Sequence, residues 1–421
     1  MSPGSRGWLL AICASRIGAY MVYIAYAATL PVLQREWNLS GTAAGSISSA
    51  FQVAYAISLM AFSELADRIG ARRVFLAGTV ASAVASAVFA AWARDYWSCL
   101  ILYTVLALAL GGTYTTGILL VAENVPVARR GRAMGAYLAG HSLGLALALA
   151  LTGLALPIGG YVLAFWLLSL GQLVGAGFAW VATRSTANII SQRAGGPRFG
   201  TAVLKNRPAI LVISCYTFHS WELLGMWAWT PAFLAVCFVA TGSELARGAG
   251  LGAYITSLFH ITGMIASLVA GLFADRFGRT PVILFMASLS AICSLSFGWL
   301  LGAPIAFIVG LGLVYGFSAL GDSPIYSTAI TEVVPTAYRG AALALRSLVG
   351  YGAGATAPLV FGAILDWYGA RTVGAWGWAF VSLGIAGVGA VVSGILLHGS
   401  AEAAVLRRNA SRSPAAASAR G

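Results

Sequence analysis

Positions 63–73 read Ser63-Glu64-Leu65-Ala66-Asp67-Arg68-Ile69-Gly70-Ala71-Arg72-Arg73, a charged island between two long apolar runs. The island returns 208 residues later as Gly271-Leu272-Phe273-Ala274-Asp275-Arg276-Phe277-Gly278-Arg279-Thr280-Pro281, again wedged between apolar runs. A second pair repeats at an offset of 209: Glu123-Asn124-Val125-Pro126 with Arg130-Gly131, then Glu332-Val333-Val334-Pro335 with Arg339-Gly340. Two unlike patterns sharing one spacing mark a duplicated half.

The residues around the islands set the solvent. Of 421 residues 59% are hydrophobic and only 9% charged, with mean hydropathy +0.86. Soluble domains carry about 25% charge, so this chain belongs in a bilayer. Apolar runs lie near 8–33, 42–62, 74–93, 97–121, 134–156 and 159–182, then near 208–239, 249–274, 279–301, 304–330, 343–367 and 373–398. Each approaches the ~20 residues that a helix needs to cross ~30 Å of hydrocarbon, whereas barrel strands would read as alternating segments of about ten. The first run is long and lacks a small-residue cleavage site, which reads as a retained helix rather than a signal peptide. The expected fold is an all-α membrane protein of twelve transmembrane helices in two pseudo-symmetric six-helix bundles. The divisions are 1–7 (N-terminus), 8–182 (first bundle), 183–207 (linker), 208–398 (second bundle) and 399–421, an Ala/Ser/Arg-rich tail expected to be disordered.

Charge placement gives orientation. Net charge is +13, but with the N-terminus inside, nineteen of 25 basic residues fall on the N-terminal side of the membrane. Arg35, Arg94, Arg247 and Arg371 fall opposite, and Arg16 and Arg346 lie inside spans. The surplus follows the positive-inside rule and is not a nucleic-acid footprint; both termini are expected in the cytoplasm. Cys13, Cys99, Cys215, Cys237 and Cys293 sit in apolar runs without CxxC spacing, so neither a metal site nor a disulfide frame is implied.

These motifs resemble those of the major facilitator superfamily over about residues 8–398. In that family a Gly-x-x-x-Asp-Arg-x-Gly-Arg-Arg type loop joins helices two and three and engages a Glu-x6-Arg motif at the fourth. Asp67, Arg68, Gly70, Arg72 and Arg73 match the loop, with Ser63 at the leading Gly and Ala71 at one basic position; Glu123 and Arg130 match the second motif. The other half matches with Gly271, Asp275, Arg276, Gly278 and Arg279, then Glu332 and Arg339. Physically, Gly70 and Gly278 permit a tight turn, and Asp67 and Asp275 at a membrane boundary can form ion pairs that hold one state and break in another. That makes these motif residues a candidate conformational latch. The plainer alternative is that the Arg residues only fix topology and bind anionic headgroups.

Charges within spans are costly and tend to mark function. Arg16 lies ~12 Å into the first helix and Asp322 ~15 Å from the end of the tenth. Glu222 and His219 are on the seventh, Arg346 just inside the eleventh, His141 and His260 in the fifth and eighth. The resemblance implies that helices one, four, seven and ten line a central cavity. Candidate substrate and coupling residues are therefore Arg16, Tyr20, Tyr23, Tyr114, His219, Glu222, Asp322 and Arg346; Arg16, Tyr20 and Tyr23 share one helical stripe. Asp322 and Arg346 are expected to pair loosely across the 10–11 hairpin. Alternatively, Arg16 and the acids pair with one another. Gly140-x3-Gly144 and Gly350-x3-Gly354 have the spacing for close helix packing. Proton-driven drug exporters of the family carry Gly-Pro-x-x-Gly on helix five, where this chain has His141 in place of Pro.

The expected function is a secondary active carrier, without enzymatic activity or cofactors, moving a small anionic or zwitterionic solute by alternating access. Asp322 or Glu222 would carry a coupling proton. The expected partners are lipid, solute and protons, in a monomer of a bacterial inner membrane. A proton-driven efflux antiporter and a non-transporting membrane receptor are the alternatives. A membrane enzyme would need a His, Asp or Ser cluster on the membrane face, which the loops lack.

Overall fold

The computed structural model describes residues 1–190, 203–335 and 338–407, except the side chains of residues 127 and 128. Residues 191–202 of the linker, with Arg193 and Arg198, and the tail from 408, with Arg408, Arg412 and Arg420, lie outside the described residues.

Among the described residues the chain is helical without strands, as its patterning requires. The spans are α1 (Arg6–Glu36), α2 (Gly41–Ile69), α3 (Ala71–Trp92) and α4 (Tyr96–Asn124). One 57-residue helical stretch, Val127–Thr183, follows, and Gly159 (φ −142°) and Gly160 (φ +62°) break it into α5 (127–158) and α6 (161–183). Then come α7 (Arg207–Ala240), α8 (Leu245–Phe277), α9 (Arg279–Leu300), α10 (Ile305–Val333), α11 (Arg339–Tyr368) and α12 (Val373–Gly399). Side-chain caps start five of them: Ser5, Ser40, Asp95, Asn206 and Thr372 each accept from a backbone N–H of the first turn. Leu, Ile, Val and Trp side chains such as Ile158, Leu272, Trp97 and Trp367 are exposed on outer faces, as lipid contact demands.

Two compact units emerge. One gathers Met1–Ala194 and Trp227–Ile261; the other gathers Gly195–Met226 and Thr262–Gly421. The hairpin formed by the end of α7 and the start of α8 thus groups with the first six helices. Glycine explains how: a Cβ on Gly153 of α5 would sit 2.7 Å from the Gly250 carbonyl oxygen, and one on Gly250 would sit 2.6 Å from that of Gly153. Only bare backbone permits so close an approach. The Gly-x3-Gly pairs work the same way. A Cβ on Gly144 of α5 would sit 2.6 Å from the Ile17 carbonyl oxygen on α1, and one on Gly354 of α11 would sit 2.7 Å from the Ser220 carbonyl oxygen on α7.

The segment beyond Gly399 departs from the expected disorder in its first residues. Ala401–Arg407 is a 3-10 helix, because Ala403 and Leu406 have an apolar cluster to enter, formed with Cys215, Met286, Tyr326 and Ile330.

Candidate functional site

Three spans are interrupted near mid-length. The helix of α1 stops at Met21 and resumes at Ala25, α4 passes through a 3-10 turn at Gly111–Thr113, and α10 breaks at Asp322, where Pro324 lacks the N–H that would continue the ladder. Inside a bilayer a freed carbonyl must find a donor. Tyrosine and serine hydroxyls supply it: Tyr103 donates to Tyr23 O at 2.5 Å, Tyr137 to Thr113 O at 3.0 Å, and Ser267 to Leu320 O at 3.0 Å. Irregular backbone at this depth is tolerated only against protein or a cavity, and such breaks recur at transporter binding sites.

In the first unit the α1 break lies beside Arg16, which is 2% exposed. Its guanidinium carbon lies over three rings, Tyr20 at 4.5 Å, Tyr114 at 4.6 Å and Tyr137 at 4.7 Å. None of its three nitrogens makes a well-aligned hydrogen bond, although the Tyr20 and Tyr137 hydroxyls lie near enough to interact with it. Among the described residues no carboxylate is within ion-pair distance of Arg16, so the alternative in which it pairs with an acid is not what this structure holds. Three cation–π contacts, each worth ~0.5–2 kcal/mol, compensate the buried charge only in part and leave its N–H donors without an aligned acceptor. The remaining rings are fixed by their own bonds. Tyr20 and Tyr55 share a hydroxyl contact of 2.5 Å, Tyr23 donates to Gln52 at 2.7 Å, and Tyr20 stacks on His141 at 4.0 Å. Tyr55 and Tyr137 were not singled out in the sequence; their faces meet Arg16's neighbourhood only through packing of α2 and α5 on α1.

The second unit holds two buried acids on different networks. Glu222 accepts from Ser290 at 2.6 Å and Ser294 at 2.7 Å, both on α9, and Ser294 also bonds the Tyr315 hydroxyl of α10. The sequence signal for these partners was a Ser pair spaced i, i+4 inside an apolar run. Asp322 accepts from Tyr326 at 3.0 Å, and its second oxygen lies 3.3 Å from His219 Nδ1 without a well-aligned hydrogen bond. His219 Nε2 in turn contacts Ser323 Oγ at 2.8 Å. The expected Asp322–Arg346 pair is not formed. Arg346 donates to Ser327 at 2.6 Å and stacks over Tyr216 at 4.1 Å, because it sits about six residues nearer the hairpin turn than Asp322.

The two islands differ. Around Gly278 (φ +95°), Arg279 joins Asp275 at 2.5 Å and Glu332 at 3.0 Å, so the repeated loop and the Glu-x6-Arg motif are bonded. Arg276 lies over Phe277 and Arg339 donates to Thr331 O. Around Gly70 (φ +93°), Arg68 pairs with Glu64, Arg72 donates to Thr183 O at 2.6 Å, and Arg130 to Val125 O at 3.4 Å. Glu123 Oε2 is buried without a hydrogen-bond partner.

Comparisons with known proteins agree with this architecture. The chain is 26% identical to a probable 4-methylmuconolactone transporter of Cupriavidus pinatubonensis, covering 77% of this chain and 76% of that one. It is also 26% identical to a gallate transporter of Pseudomonas putida, covering 80% of each. The structure superposes on that of a mutant of the nucleoside transporter NupG with a TM-score of 0.75 at 14% identity, covering 93% of this chain and 99% of that one. The family model described as Major Facilitator Superfamily matches residues 10–243 and 233–419. With its duplicated helix set and its buried polar sites in broken spans, the chain belongs to the Major Facilitator Superfamily, as a multi-pass membrane transporter of small molecules.

Proposed function

We propose that the chain is a proton-coupled secondary carrier of a small organic anion. Arg16 carries the reading: a guanidinium whose three nitrogens lack an aligned acceptor, buried in a tyrosine cage and lacking a carboxylate, is complete only when an anion enters. Gallate, the compound named for one relative, is an aromatic carboxylate and fits that chemistry. Tyr20 and Tyr114 would shape the pocket and Tyr23 the α1 break above it. The coupling proton would reside on the Asp322–His219 pair, whose 3.3 Å approach without a good hydrogen bond leaves room for a proton to come and go. Glu222, with Ser290, Ser294 and Tyr315, is the second candidate. The charged motifs at the islands would act as the latch between states that open to either side of a bacterial inner membrane, both termini being cytoplasmic.

The test is uptake into proteoliposomes under an imposed proton gradient, with benzoate and gallate as probes. Arg16→Ala should lower uptake at least about a hundredfold, since a buried charge–anion contact is worth ~3 kcal/mol or more. Asp322→Asn should abolish gradient-driven accumulation while leaving solute exchange across the membrane. Wild-type uptake by Arg16→Ala would defeat the anion assignment. Intact accumulation by both Asp322→Asn and Glu222→Gln would defeat the coupling assignment.

A further inference from the structure

Next to the Arg16 cage the first unit contains a second set of unsatisfied groups. His141 stacks on Tyr20, the indole of Trp227 lies 5.7 Å from the His141 ring, and the ring of His260 lies 5.7 Å beyond Trp227. These side chains come from α5, α7 and α8. Trp227 is 6% exposed and His260 1%. Yet His141 Nε2, Trp227 Nε1 and His260 Nδ1 are all buried and all lack a hydrogen-bond partner. Neighbouring polar rings fare otherwise: Tyr23 donates to Gln52, Tyr20 bonds Tyr55, and Tyr137 caps a carbonyl. Buried polar atoms are nearly always satisfied, so three orphans on successive rings point to an absent group.

The donor and acceptor roles narrow what that group is. An indole N–H can only donate, so the partner must offer an oxygen acceptor. A neutral imidazole presents one donor and one acceptor nitrogen, so a partner that also donates would satisfy more of the set than a bare carbonyl. A hydroxyl does both. We propose that His141, Trp227 and His260 form a second polar subsite that receives a hydroxyl on the solute whose anionic end is held by Arg16, making the substrate class a hydroxylated organic acid. This deepens the anion reading and rests on it. Tyr20 connects the two subsites physically, with Arg16 over one side of its ring system and His141 stacked against it.

Binding of matched probes to the purified full chain in detergent tests the assignment by calorimetry: benzoate against 3-hydroxy- and 4-hydroxybenzoate, and propionate against lactate. At least one hydroxylated member should bind at least about tenfold tighter than its parent, because the parent leaves buried donors unpaired. Trp227→Phe and, separately, His260→Phe should bring that ratio toward one, and Arg16→Ala should remove binding of both members. A wild-type ratio near one, with binding that still depends on Arg16, overturns the subsite while the anion reading stands. Equal binding of both members by wild type and Arg16→Ala overturns the anion reading, and failure of every probe to bind wild type overturns both. Should either aromatic variant not yield monodisperse protein, the wild-type ratio alone decides.

Discussion

The Gly70 and Gly278 islands began as copies of one turn and now hold their helices by different means. Both glycines occupy a positive-φ conformation that other residues adopt only with strain. At the second, Arg279 spans Asp275 and Glu332. At the first, the position matching Arg279 is Ala71, and Glu123, the counterpart of Glu332, keeps a buried oxygen without a partner. Asn188 partly substitutes: its Nδ2 donates to Ile69 O at 2.7 Å and its Oδ1 accepts from Arg73 N at 3.3 Å. One arginine, kept or lost, thus decides whether the turn is tied to the glutamate of the Glu-x6-Arg motif. The duplication preserved the turn geometry and not the chemistry that secures it.

The largest difference should come from the glycines themselves. Gly278→Ala adds a Cβ 2.8 Å from the Arg407 carbonyl oxygen, an obstacle made of backbone, on top of ~1–3 kcal/mol of conformational strain. Gly70→Ala meets only the Asn188 side chain, which can swing away, so its cost should stay near the strain alone. Thermal unfolding in detergent should therefore place Gly278→Ala several degrees below Gly70→Ala; equal melting temperatures would erase the distinction. Next, Arg279→Ala should cost about 1–3 kcal/mol by stripping the half-buried Glu332 of its partner. If its melting temperature matched wild type, the clasp would contribute nothing. Smallest is Glu123→Gln, expected to be neutral or stabilising by up to about 1 kcal/mol because it discharges an unpartnered group. Glu332→Gln should do the reverse, and the opposite signs, read by the same melts, are the sharpest form of the contrast.

The helices were legible because apolar runs of bilayer length admit few readings, and the α5–α6 division was read between the runs 134–156 and 159–182, just ahead of the break at Gly159 and Gly160. The breaks within α1 and α4 were not, since the residues around Val22–Ile24 and Gly111–Thr113 remain apolar or small; the carbonyls they free are met by Tyr103 and Tyr137 from other helices. Arg16 announced itself as a charge inside a span. Its cage did not, because which ring faces converge on it depends on helix rotation. The same limit applies to Glu222, whose Ser290 and Ser294 partners lie about seventy residues away on α9. Arg346 illustrates a failure of one-dimensional counting: a six-residue offset in depth left it to Ser327 and Tyr216 instead of Asp322.

The facing glycines 153 and 250 carry a mechanical implication. At this seam main chain meets main chain, flanked by the Pro157 ring and the Tyr254 Cβ, so separating α5 from α8 along it disengages chiefly dispersion contacts, each ~0.1–0.2 kcal/mol per atom pair. Such a seam shuts tightly and still parts at little enthalpic expense. Replacing either glycine with a bulkier residue would turn that zip into a wedge.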